Sequence, residues 1–538
     1  MKKRGIALSI LLILTIVLSA CGTKEPEDTP PAVQENNVVR LAMRMPGDLN
    51  PLTSPWESCR NTFLLIYDGL FRESDTQEAV PQLAESYSVL SDGLEVMINL
   101  RKDVSWHDGK PFTADDVVYT LETIKSTEES AFAENVEAVV SWTKIDDYTV
   151  ELFLSEPCGT VVHQLTFPII SAHFDDYEHS AVGTGPFRVE SFDTQEALTL
   201  AANQDYFLGA PKLSGAIVQF VRTDDMDTAA FTSHSSDVIS ARIQEKAPFS
   251  PGERMKYVSF PSTELVYVGM NTERWPFASA LTRQALAHLI DRDSVVEQDY
   301  TGKALAAPSA LSSVYPYYEP EISAISYDVE AAREGLFHAG WSDLDGDGVI
   351  DVASGGEASV EMGELTPFIA SVLVNEEDVA RTIVADRLVR AMLEVGINAW
   401  VEAVPYEQYA ERIEEGHFDM YVGKVRFPSV LDMGDLLGSG GSVNYSGYVS
   451  EDLDSLLAAM AKASDDLSRR VSAEEFQTHF AEEMPILPIC FLDSGWYVWD
   501  NVEFHAEGYQ NPFACSHLWT KTPVEAKEQP TEEAKKDE

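Results

Sequence analysis

The chain has 538 residues, 44% of them hydrophobic, and carries 38 Lys plus Arg against 89 Asp plus Glu, a formal net charge of −51. Such an acidic surface repels polyanions, which makes nucleic acid and anionic lipid headgroups poor partners. The length is too great for one hydrophobic core, so two or three domains are expected.

The first element is a targeting segment. Met1-Lys2-Lys3-Arg4 is basic, Gly5 to Val17 is an uncharged apolar run too short to span a bilayer comfortably, and Ser19 and Ala20 are small. This is the layout of a secretory signal over residues 1–20. Leu18-Ser19-Ala20-Cys21 resembles the lipobox of bacterial lipoproteins. The resemblance implies that Cys21 becomes the new N-terminus and carries acyl chains, each buried methylene adding about 0.8 kcal/mol. A transmembrane anchor, or a plain cleaved signal with a chance cysteine, is the alternative. Residues 21–37 hold Pro26, Pro30, Pro31 and mostly acidic or small polar residues, a composition that reads as a disordered tether. The polar residues 522–538 read as a disordered acidic tail. No other apolar run approaches membrane-spanning length.

Between tether and tail the pattern is α/β. Val38 to Met43 is a short strand ending in the turn-rich stretch Pro46 to Pro51. Leu94, Val96, Ile98 and Leu100 alternate as one face of a strand. Thr113 offers a helix N-cap with Asp115 and Asp116 in the first turn, followed by Val117, Val118, Leu121 and Ile124 at helical spacing. Val266 to Met270 reads as a strand, and Leu281, Ala285, Leu286, Leu289 and Ile290 mark a helix face. A second helix face runs through Val379, Ile383, Val384, Leu388, Ala391, Met392 and Val395, stops at Gly396, and gives way to a strand over Ile397 to Val404. Strand, helix, strand in that order predicts βαβ units. Of the five cysteines, Cys59, Cys158, Cys490 and Cys515 remain once Cys21 is acylated; they allow three pairings, and one disulfide or free buried thiols fit equally.

Six motifs then occur in order. Trp106-His107-Asp108-Gly109-Lys110-Pro111-Phe112-Thr113-Ala114-Asp115-Asp116-Val117 resembles the W-x-D-G-x-P-x-T-A-x-D-V signature of the peptide/nickel class of solute-binding proteins, the extracytoplasmic receptors of ABC importers. Gly183-Thr184-Gly185-Pro186-Phe187, Asn203 to Pro211, and the segment from Asn271 through Arg283-Gln284-Ala285-Leu286 to Asp291-Arg292 resemble further stretches of that family. So do Asn444, Tyr448 and Asp454, and Met484-Pro485-Ile486-Leu487-Pro488. The resemblance implies a two-lobed α/β fold of the periplasmic-binding-protein type (class II), with an extra subdomain on the first lobe. Lobe I would comprise residues 38–270 plus 490–521, with the subdomain near 80–180, and lobe II residues 271–489. The crossings near Asn271 and Pro488 would be the hinge. A monomeric receptor that traps a small molecule or peptide and hands it to ABC permease subunits is implied, held on the outer face of a Gram-positive membrane or in the periplasm. A ligand-sensing lipoprotein or a secreted hydrolase on the same fold is the alternative, although no H-E-x-x-H, G-x-S-x-G or P-loop occurs.

In peptide-binding relatives an aspartate of the second lobe pairs with the ligand's free α-amine. Read back from Asn444 and Tyr448 that position falls at Arg426; read forward from Phe418-Asp419 it falls nearer Pro428. Neither is an acid, and removing one partner of a buried ion pair costs roughly 3–5 kcal/mol. Arg426, with Lys424 and the neighbouring Phe427, is therefore expected to face the cleft and pair with an anionic ligand group, a surface-pointing Arg being the alternative. Trp56, Tyr509 and Asn511 are ligand-contact candidates by position in the family. His173 to His179 is dense in ligating groups but reads as a solvated loop. Asp343, Asp345, Asp347 and Asp351, with Gly346 and Ile350, fit the first nine positions of an EF-hand-like loop, whose twelfth position is Ser354 rather than Glu. A weak structural calcium site or an acidic turn fits this run, and no cofactor is required.

Overall fold

The structure, a computed structural model, describes residues 37–53, 57–90, 93–127, 130–242, 249–322, 325–353, 365–427, 432–505 and 508–523. Cys21 and Trp56 lie outside the described residues. In the first lobe, Val38–Met43 pairs parallel with Gly215–Phe220, and Ala197–Ala202 and Phe187–Asp193 extend that sheet antiparallel. A separate antiparallel sheet is ordered Ala84–Leu90, Glu95–Leu100, Thr149–Leu154, Val139–Asp146, with helix Ala114–Ser126 packed on it. Val96, Ile98 and Leu100 bury as their alternation predicts, whereas Leu94 precedes the strand and is exposed. Both sheets share one continuous apolar core. The stretch expected as an extra subdomain thus has its own sheet but no core of its own.

The first three motifs meet in this lobe as one polar knot. The buried Asp116 carboxylate accepts from Trp106 Nε1 (3.1 Å), from the Thr113 N–H at the helix cap (2.9 Å) and from the Ala172 N–H (2.9 Å). Gly183 donates its N–H to His107 Nδ1 (3.2 Å), so the ring proton sits on Nε2, which donates to the Gly185 carbonyl (2.9 Å). Asp68, fully enclosed, accepts from Gln82, from Thr184 Oγ1 (2.8 Å) and from the Tyr206 hydroxyl (2.9 Å). A Cβ on Gly183 would stand 1.8 Å from the Ile66 carbonyl oxygen, which explains glycine there.

The second lobe is built on a seven-stranded sheet ordered Val238–Ser240, Ile486–Trp499, Met255–Met270, Met420–Arg426, Ile369–Asn375, Asn398–Val404, with Ala304–Ala306 also paired to Ile486–Trp499. Ile369–Asn375 and Asn398–Val404 are parallel and joined by helix Val379–Glu394, the expected βαβ unit, with Gly396 at φ +88° after the helix. The helix is rotated from the expected face: Val379 and Ile383 are exposed, and Arg381 and Ala385 are buried. Arg381 can face inward because its guanidinium is satisfied by Asp378 (2.8 Å) and the Val422 carbonyl (3.3 Å). Leu281 is likewise exposed, while Arg283 is buried. Cys59, Cys158, Cys490 and Cys515 are all free thiols. Among the described residues no helix is long and apolar enough to cross a membrane.

Met255–Met270 and Ile486–Trp499 pair with each other from Met255 opposite Trp499 to Gly269 opposite Ile486. Phe260 and Val498 belong to the first core, and Leu265 to Met270 and Ile486 to Phe491 to the second. The chain therefore passes between cores where the pairing breaks, between Pro261 and Glu264, opposite Asp493 and Leu492. This is earlier than the expected Asn271 and later than the expected Pro488, because both strands run unbroken into the second core.

His107 supplies a test of the knot. Burial pushes its pKa down to about 4, whereas an unfolded histidine titrates near 6.5. The unfolded chain therefore binds more protons between these values, and the contribution of His107, present in full above pH 6.5, is lost as pH falls toward 4. Chemical denaturation across that window should show a steeper loss for the wild type than for His107→Gln, by up to about 1.4 kcal/mol per pH unit. Equal slopes would mean that His107 is not held neutral by the fold.

Candidate functional site

At the crossing, side chains replace missing ladder bonds. Ser262 Oγ donates to the Leu492 carbonyl, Thr263 Oγ1 donates to the Phe427 carbonyl (2.7 Å), and the Phe427 N–H returns a bond to the Thr263 carbonyl (3.2 Å). This fixes Glu264 directly opposite Arg426 in the antiparallel register, with Lys424 two residues back on the same face. The largely buried Glu264 carboxylate lies 2.8 Å from Arg242 Nη2, 3.5 Å from Arg426 Nη2 and 3.7 Å from Lys424 Nζ. Arg242 follows the edge strand Val238–Ser240, whereas Lys424 and Arg426 end strand Met420–Arg426. One carboxylate thus gathers cations from two separate stretches of chain where the lobes join. The side chains of Lys424 and Arg426 remain 35% and 41% exposed, so each contact is worth about 0–1 kcal/mol and can be rearranged.

The first lobe faces this cluster through residues 508–511. Gln510 Nε2 donates to the Pro261 carbonyl (3.4 Å), at the start of the break, and its N–H donates to the Glu73 carbonyl (3.3 Å). Arg72 stacks 3.7 Å over the Tyr509 ring and donates to the Gly508 carbonyl (2.8 Å). Asn511 is spent internally: its Nδ2 meets Asn61 Oδ1 (2.8 Å), and its Oδ1 accepts from the Phe513 N–H (3.0 Å). Glu73, on strand Phe71–Glu73, has its carboxyl pushed up to about 7 by burial alone. Among the described residues no cation is paired with it.

Of the residues expected at a ligand site, Lys424, Arg426, Tyr509 and Asn511 all border the crossing. Phe427 is corrected to a core residue: at 4% exposure its ring packs in the second core while its backbone is tied to Thr263. Arg426 is engaged by Glu264 rather than pointing away from the protein. Sequence reasoning passed over Glu264, Arg242, Arg72 and Glu73. Glu264 had a signal, a lone acid entering an apolar strand; the other three had none. The acidic loop Asp343 to Asp351 sits at the opposite end of the second sheet, since Ile350 bonds Phe368, just ahead of strand Ile369–Asn375, which runs parallel to Met420–Arg426. A surface recess of about 440 Å³, lined by Thr272, Arg283, Tyr448, His479 and Glu483, also lies away from the crossing. It is walled by the Arg283 pin, which donates to the carbonyls of Glu483 and Met484, and reads as a by-product of that packing.

Glu73 provides the test of this wall. With a folded pKa of about 7 against an ordinary value of 4.5, its charge is destabilising at pH 8 and absent from the folded state at lower pH. Glu73→Gln should therefore raise the thermal midpoint at pH 8, by an amount that shrinks as pH falls toward 4.5. A variant that is less stable at pH 8 would show that the carboxylate has a cationic partner in the native protein.

Comparison with known proteins follows the same outline. Residues 78–442, more than half of the chain, match the family described as bacterial extracellular solute-binding proteins, family 5 (middle region). The chain is 24% identical over 535 residues to the oligopeptide-binding protein AppA of Bacillus subtilis (strain 168), covering 94% of this chain and 96% of that protein. It is 24% identical over 532 residues to heme-binding protein A of Haemophilus influenzae, covering 89% and 92%. Among solved structures, that of a nickel ABC transporter protein from Bacillus halodurans superposes with a TM-score of 0.76 at 19% identity, covering 90% of this chain and all of that one. The two-lobed α/β arrangement is thus that of the binding-protein fold.

Proposed function

The chain belongs to family 5 of the bacterial extracellular solute-binding proteins, binding proteins of ABC importers rather than enzymes, and from that premise we propose a lipid-anchored receptor for an anionic or peptide-like solute. The solute is held between the lobes at the strand crossing and delivered, by a monomeric receptor, to the permease subunits of an importer. Relatives named for oligopeptides, heme and nickel leave the ligand class open. The observation that carries our reading is the convergence of Arg242, Lys424 and Arg426 on Glu264 at the point where the chain crosses between cores. A carboxylate or phosphate of the ligand competes with Glu264 for these cations and, by contacting both lobes, favours the closed form. Acylated Cys21 and the tether after it keep the receptor beside its permease.

Mass spectrometry of material that co-purifies with the receptor, followed by calorimetry, tests the ligand class. Anionic ligands should bind whether or not a free amine is present, and Lys424→Ala or Arg426→Ala should each weaken them about tenfold, ~1.4 kcal/mol. Tight dipeptide binding that needs a free α-amine and ignores both substitutions would overturn the anionic reading. For the anchor, Cys21→Ser should release the folded receptor from the membrane fraction. Retention of that variant would assign anchoring to another element.

A further inference from the structure

Four acids of the loop after Trp341 converge on one point. Asp343, Asp345, Asp347 and Asp351 each contribute a carboxylate oxygen to a group whose members all lie within 4.8 Å of one another. Oxygens this close can share one cation, and an irregular all-oxygen loop suits calcium, whereas magnesium demands near-ideal octahedral geometry. The loop is held in this shape from within. Asp343 accepts from the N–H groups of Gly346 (2.7 Å) and Gly348 (3.2 Å), Asp345 from Asp347 (3.1 Å), and Asp347 from Val349 (2.8 Å). Gly346 and Gly348 take positive φ, and two backbone bonds between Ser342 and Asp351 close the base.

Those bonds occupy the three exposed acids, and Asp351 differs from them. It is only 4% exposed, its buried Oδ2 has no hydrogen-bond partner, and its carboxylate group lies among three like charges. An unpaired buried carboxylate oxygen is costly, and among the described residues no Lys or Arg pairs with any of the four. A divalent cation supplies the missing partner to all of them at once.

We propose that Asp343, Asp345, Asp347 and Asp351 bind one Ca²⁺ that braces the second lobe at the end remote from the strand crossing. The brace acts through neighbours of the loop: the Ile350 N–H bonds the Gly396 carbonyl (2.9 Å) at the end of helix Val379–Glu394, and the Ile350 carbonyl accepts from Phe368 (2.8 Å). Ser354 stands where a bidentate glutamate completes the tightest loops of this kind, which sets the affinity near ~10⁻⁴–10⁻³ M, the range of extracellular modules.

The site is tested on the whole chain after EDTA treatment, with CaCl₂ and MgCl₂ as probes. Calorimetry should give one Ca²⁺ per chain, and about 5 mM Ca²⁺ should raise the thermal midpoint by about 2–5 °C, with no rise at equal Mg²⁺. The double variant Asp345→Asn, Asp347→Asn, at two exposed positions, should be at least as stable as the wild type in EDTA, because two of the crowded charges are gone, and should lose the calcium-dependent rise. A wild type that does not respond to Ca²⁺ overturns the proposal. An equal rise in the double variant also does so, because it would assign the effect to diffuse counterions on a strongly acidic chain.

Discussion

The two cores of this protein are tied together by the pairing of Met255–Met270 with Ile486–Trp499. Each strand is long enough to be core in both lobes, so neither lobe can shift without bending this ribbon. Within the second lobe the ribbon is stiffened by reciprocal aromatic and glycine positions. Tyr267 lies over Gly423 and Tyr421 over Gly269, their hydroxyls 3.2 Å apart, and a Cβ on Gly269 would stand 2.1 Å from the Tyr421 ring. The break at Pro261 interrupts that regularity where the cores separate. Pro261 has no N–H to give, and Ser262 and Thr263 hold the strands by side chain instead. Bending is thus confined to a few residues.

The return strand needs equally firm placement, and two arginines supply it mainly through main-chain oxygens, Arg283 adding one contact to the Glu483 carboxylate (3.3 Å). Arg283 donates to the carbonyls of Phe277, Ala278, Glu483 and Met484, and Arg292 to those of Ala307 and Pro488. A guanidinium has five donors in a rigid plane, which suits it to gathering main-chain oxygens that no helix or strand satisfies. Burial lowers the pKa of both, that of Arg292 to about 10, and still leaves them charged. The motif from Asn271 to Arg292 and the motif at Met484 to Pro488 are therefore two halves of one fastening.

This division explains what could be read from sequence. Helix Ala114–Ser126 was legible because cap, first-turn acid and apolar period coincide within a few residues. The unit from Ile369 to Val404 was legible for the same reason. The buried side of helix Val379–Glu394 was misread at Val379 and Ile383, because the burial of Arg381 depends on the Val422 carbonyl, which no local pattern reveals. The lobe boundary near Asn271 follows from the family resemblance, whereas the cores separate at Pro261 to Glu264, inside a strand that continues through the break and so leaves no local signal. The site was harder still. Glu264 and Arg426 are 162 residues apart, and Arg72 and Gly508 are 436 apart. Such partners become neighbours only through long-range pairing that no local pattern reveals.

The chain therefore concentrates strong polar contacts in its interior and weak ones at its crossing. Asp68 and Asp116 are enclosed and use several donors each, so breaking either knot exposes unsatisfied groups and costs on the order of 1–3 kcal/mol per group. Lys424 and Arg426 are partly exposed and stand 3.7 Å and 3.5 Å from Glu264, so exchanging one anion for another at these two cations costs little. A receptor that must capture and later release a solute needs this order of strengths. Had the strong knots sat at the crossing, the ribbon could bend only by disrupting a core. With the exchangeable pairs there, the anionic ligand we propose would replace Glu264 contacts while both lobes keep their shape.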